Sequence, residues 1–68
     1  MTDPDAARDG AALSSIASIL DEVTQRITEI ADRYAATPAS GTAEELYAAE
    51  RSLLAARRMV QRARSDLE

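Results

Sequence analysis

Between Leu13 and Tyr34, seven apolar residues recur at alternating spacings of three and four: Leu13, Ile16, Leu20, Val23, Ile27, Ile30 and Tyr34. This is an a/d heptad seam, which places every one of them along a single stripe of an α-helix. A second run, Leu46, Ala49, Leu53, Ala56, Val60, Ala63 and Leu67, keeps the same spacing with alanine at every d position. Two seams joined by a short connection predict an all-α chain folded as an antiparallel, coiled-coil-like two-helix hairpin.

The punctuation of the chain gives the boundaries. Residues 1–10 have no apolar period; Asp3 before Pro4 can cap a short extra turn, but Gly10 weakens continuity, so a disordered acidic tail is expected there. The first helix is predicted over 11–36, with Asp9 as its cap and Pro38 disfavouring helix in the residue before it. A turn over 37–42 follows. Thr42 and Glu45 have the spacing of a capping box, which starts the second helix at 43 and lets it run to 66. With this turn, partner positions sum to about 79 or 80, so that Ile16 meets Ala63, Val23 meets Ala56 and Ile30 meets Ala49. Large side chains then oppose small ones, and Ile19 falls opposite Met59 at the flanking g position.

Sixty-eight residues allow one small domain, and a chain of that length buries too small a fraction of its surface to be comfortably stable alone. A partner is therefore expected: a second copy, giving a homodimeric four-helix bundle, or another protein. The pairing above leaves Tyr47 and Leu54 apolar and unpartnered, beside Ala48, Ala55, Arg51 and Arg58, and these six residues form the expected interface. The net charge of −4 is uneven, with −7 over residues 1–50 and +3 over residues 51–68, and an antiparallel hairpin brings the two into register. No apolar run reaches membrane-span length, and the acidic amino terminus is unlike a signal peptide. Together with the absence of cysteine, this points to a cytoplasmic protein without disulfides.

The composition also narrows the chemistry. With no histidine, cysteine or lysine, the available acids and bases are carboxylates on solvated helix faces, and a hairpin has no cleft to hold a substrate between two of them. No catalytic, metal or cofactor-binding residues are expected. All eight basic residues are arginine and fifteen positions are alanine, as in proteins coded by high-GC bacterial genomes. Arg51, Arg57, Arg58, Arg62 and Arg64 could form a phosphate-binding stripe. Against it stand the acidic total and the lack of stacking aromatics on that stretch, so nucleic acid is not the expected partner.

The run Glu45–Arg58 (ELYAAERSLLAARR) resembles short helical-hairpin proteins of actinobacteria that have no assigned function. Glu50, Arg57 and Gln61 are also spaced as in the helix motif Glu-x3-Ser-x2-Arg-x3-Gln-x3-Asp of helical-hairpin anti-sigma factors gated by cyclic di-GMP, with Leu54 in place of the serine and Ser65 in place of the aspartate. This resemblance implies an alternative function, a nucleotide or nucleic-acid binder using Glu50, Arg57, Gln61 and Arg62. The expectation drawn from the residues themselves is a non-enzymatic helical interaction module that self-associates and acts through protein–protein contacts.

Overall fold

In a computed structural model that describes residues 4–68, the chain forms two α-helices packed against each other as a hairpin, α1 (Pro4–Tyr34) and α2 (Ser40–Asp66). The cap expected at Asp3 lies outside the described residues. The molecule is a rod of 57 × 14 × 10 Å with a radius of gyration of 15.9 Å. A compact domain of this length would have a radius of gyration of about 11 Å. None of the helices of the described residues is long and apolar enough to cross a membrane.

Both helix starts differ from expectation. α1 begins at Pro4 rather than at residue 11, so the tail expected over 1–10 is helical from residue 4 onward. Proline at the first helical position loses no hydrogen bond, and Ala6, Ala7 and Arg8 are strong helix formers that carry the helix through Gly10. Ala6 and Gly10 are half-buried and share a cavity wall with Leu67, so this segment extends the packing of the hairpin. α2 begins at Ser40 rather than at residue 43, and its preceding residue, Ala39, supplies no side-chain cap. Thr42 is therefore already inside the helix, its amide bonded to the Ala39 carbonyl at 3.0 Å, and the expected capping box does not start α2.

Thr37 organises the turn instead. Its amide and its hydroxyl both donate to the Tyr34 carbonyl, at 3.1 and 2.7 Å, which ends α1 two residues before the predicted boundary. The same hydroxyl oxygen accepts from the Ala39 amide at 3.1 Å, and the Thr37 carbonyl accepts from Ser40 at 3.1 Å. A threonine side chain thus closes a turn in which Pro38 has no amide to offer.

The helices meet on a different stripe from the predicted a/d seam. In α1 the half-buried and buried residues are Ala6, Gly10, Leu13, Ala17, Leu20, Thr24, Ile27 and Ala31, flanked by Ser14 and Thr28. In α2 they include Ala43, Leu46, Glu50, Leu53, Arg57, Val60 and Arg64. The a residues are retained; on α1 the buried positions beside them are e rather than d, while on α2 Ala49 and Ala56 at d stay half-buried along with e. Ala17, Ala31 and Ala43, all at e, are the fully buried apolar residues among those described, and Ala31 is 0 % exposed. Small side chains at e of α1 (Gly10, Ala17, Ala31) and at Ala43 of α2 allow the two axes to approach; Ile16, Val23 and Ile30 at d would hold them apart. A face centred between a and e is turned by roughly a seventh of a turn from one centred between a and d. The predicted layers that use d of α1 are open in the hairpin: Ile16, Val23 and Ile30 are exposed, as are Tyr34 and Ala63.

Candidate interaction surface

The rotation divides the hairpin into a polar flank and an apolar one. On the polar flank three side-chain pairs bridge the helices at heptad intervals: Ser14 with Arg64, Asp21 with Arg57, and Thr28 with Glu50. Arg64 donates through Nη1 to the Ser14 hydroxyl at 2.8 Å, Arg57 Nε lies against the Asp21 carboxylate, and the Thr28 hydroxyl donates to Glu50 Oε2. The residue numbers of every pair add to 78, which fixes the helix register one residue from that expected. Nearer the turn the Tyr47 hydroxyl donates to Asp32 Oδ1 at 2.6 Å. This bond raises the Tyr47 pKa above its ordinary value of 10.0, and partial burial and the negative charges of Asp32 and Glu50 act in the same direction. Thr24, which faces α2 without a polar partner there, turns its hydroxyl back to the Leu20 carbonyl at 2.6 Å.

This ladder also engages most of the alternative ligand-binding set. Glu50 accepts from Thr28, Arg57 lies against Asp21, and Arg57 Nη1 donates to Gln61 Oε1 at 2.9 Å. Arg62 is exposed, and with Arg58, Gln61 and Ser65 it borders a shallow depression of about 270 Å³. A guanidinium already facing a carboxylate offers little charge to a phosphate. A second cavity of about 500 Å³, walled by Ala6, Gly10 and Leu67 with Ser14 and Arg64, opens where the start of α1 meets the end of α2. Among the described residues no group of three or more carboxylates is placed to hold a metal ion.

The six residues expected at the interface are divided. Tyr47 is half-buried and tied to Asp32, Ala48 and Ala55 are half-buried, and Leu54, Arg51 and Arg58 are exposed. A wider apolar surface lies on the opposite flank of the hairpin. There Ile16, Val23 and Ile30 stand exposed at d on α1, beside the half-buried a residues Leu13, Leu20, Ile27, Leu46, Leu53 and Val60. Ile19 and Met59, expected to cover one another, sit on its two rims and are 55 % and 60 % exposed. From Leu13 to Tyr34 and from Leu46 to Leu67 no a or d position carries a charged side chain.

The sequence carried a signal for the polar ladder too. Ser14, Asp21 and Thr28 are seven apart, as are Glu50, Arg57 and Arg64, so a polar stripe runs parallel to the apolar one on each helix. No family model, curated protein or solved structure matches this chain.

Proposed function

We propose that this chain is a non-enzymatic helical interaction module that works by self-association, two hairpins covering each other's apolar flank to make a four-helix bundle. The observation that carries the reading is the direction of the heptad seam. A four-helix bundle buries a and d residues together in a core shared by four helices, whereas a single pair of helices has to cover both on one neighbour. On α1 the e residues Ala17 and Ala31 are buried in the hairpin while the d residues Ile16, Val23 and Ile30 are exposed, which leaves one side of the apolar seam uncovered in a single chain. The ladder side chains of the other flank are engaged within the hairpin, so the flank whose centre is apolar is the one left to bury.

Self-association also accounts for an apolar core whose fully buried members are alanines alone among the described residues. A stable domain buries large side chains, and here they become buried when a second seam covers them. Sedimentation equilibrium tests the proposal, together with urea unfolding at several protein concentrations. A dimer whose unfolding midpoint rises with concentration is the expected result. A stable helical monomer at micromolar concentration overturns it.

A further inference from the structure

Two arrangements of such a dimer bury the apolar flank, and they place different residues in contact. If the twofold axis runs parallel to the helices, both turns lie at the same end and α1 of one copy packs beside α2 of the other. If the axis is perpendicular to the helices, the turns lie at opposite ends, α1 packs beside α1 and α2 beside α2. Resting on the self-association proposed above, we infer that the dimer has its turns at the same end, with α1 of each copy against α2 of the other.

Shape complementarity is the first argument. The d residues that face the other copy are large on α1 (Ile16, Val23, Ile30) and are all alanine on α2 (Ala49, Ala56, Ala63). Packing α1 against α2 of the second copy sets every large residue over a small one; packing like against like sets three large layers on one side and three alanine layers on the other. The second arrangement would splay one side of the bundle and leave the other underfilled.

Register is the second. A twofold axis parallel to the helices leaves height along the bundle unchanged, so α2 of the second copy stands level with α2 of the first. The pairing that the cross-helix bonds fix within the hairpin, in which numbers total 78 or 79, therefore also applies between copies. Val23 then comes level with Ala56 of the second copy. On the rim, Ile19 comes level with Met59 of the second copy and Arg33 with its Glu45. The two most exposed large apolar residues among those described thus cover each other, and a basic rim position meets an acidic one. In the opposed arrangement Glu45 and Asp66, both on the α2 rim, would share an α2–α2 boundary with their own kind.

The chain has no cysteine, so cross-linking reads the arrangement without background. Val23→Cys and Ala56→Cys are made as separate single variants, each checked for helicity and for dimerisation, then mixed and oxidised. The expected result is a disulfide-linked heterodimer from the mixture and little covalent dimer from either variant alone, because like positions lie diagonally across the bundle, beyond the roughly 7 Å between Cα atoms that a disulfide can span. Efficient cross-linking of Val23→Cys with itself overturns the inference while leaving the self-association intact. Absence of dimer in sedimentation overturns the self-association instead. As a second readout, Arg33→Glu and Glu45→Arg are each expected to weaken the dimer about two- to fivefold, and the combined variant to recover it. Failure of the combined variant to recover, with dimer still present, counts against the inference.

Discussion

Arg57 on α2 reaches across the hairpin to Asp21 on α1, and one heptad away on either side Ser14 meets Arg64 and Thr28 meets Glu50. The ladder selects the rotation of the helices: turning either one back toward its a/d bisector would draw these groups apart. With side chains 32 % and 51 % exposed, the Arg57–Asp21 pair is partly screened by water. Asp21→Ala should therefore cost no more than about 1 kcal/mol, with the loss shrinking in molar salt. Urea denaturation at low and high ionic strength checks this, and a loss independent of salt would show that the pair acts through packing.

Gly10 lies within α1, its φ is not positive, and a Cβ added there would meet nothing within 4 Å. Glycine inside a helix carries an entropic cost that alanine does not. Gly10→Ala should raise stability by about 0.5–1 kcal/mol. Thermal denaturation followed by circular dichroism decides it, and an unchanged or lowered midpoint would mean that the helix does not run through this residue in solution.

Ala31 is completely buried where the helices approach. Ala31→Leu adds three carbons at a contact with no space for them and should destabilise the hairpin by about 1–3 kcal/mol. Unchanged stability would show that the axes can separate freely at this level.

The bond from Tyr47 to Asp32 makes a prediction at alkaline pH. Because the folded state favours the protonated phenol, the stabilisation is complete below the ordinary value of 10.0 and is lost as pH rises through the higher folded value. In a Tyr34→Phe background, where Tyr47 alone contributes phenolate absorbance, titration should place it above 10.0. Adding Asp32→Asn should bring the titration back toward the ordinary value. A titration that Asp32→Asn leaves in place would remove the bond as its cause.

The heptad made the hairpin legible, because apolar residues at alternating spacings of three and four have one regular solution. It did not reveal the helix rotation, because periodicity identifies a stripe without saying what covers it. Leu13, Leu20 and Ile27 are half-buried in the hairpin as the seam predicts, but Ile16 and Ile30 belong to the same stripe and stay exposed, because a stripe can be shared between two neighbours. The deciding residues were small ones. Ala17, Ala31 and Ala43 carry little hydrophobic signal, yet their size sets the closest approach of the helices. The start of α1 was hidden for a similar reason, since Ala6 and Gly10 continue the heptad without an apolar side chain large enough to register. Thr37 rather than Thr42 closes the turn, because a hydroxyl directly after α1 can serve both the Tyr34 carbonyl and the Ala39 amide.

A carboxylate placed on each flank in turn locates the surface that binds. Val23 lies at the middle of the exposed a/d stripe, whereas Leu54 lies on the opposite flank, on the edge that carries Tyr47. Both are about equally exposed in the hairpin, at 39 % and 38 %, so neither substitution should greatly disturb the single chain. In the proposed bundle Val23 is covered by the second copy, and Val23→Glu would leave an unpaired carboxylate in an apolar interface at a cost of several kcal/mol, weakening the dimer by about a hundredfold or more. Leu54→Glu remains in water between Arg51 and Arg58 and should leave association within about twofold of the original protein. Sedimentation equilibrium on the two variants separates the surfaces. A dimer that survives Val23→Glu but is lost with Leu54→Glu would move the interface to the Tyr47 edge, and equal losses would mean that both flanks are buried in an assembly larger than a dimer.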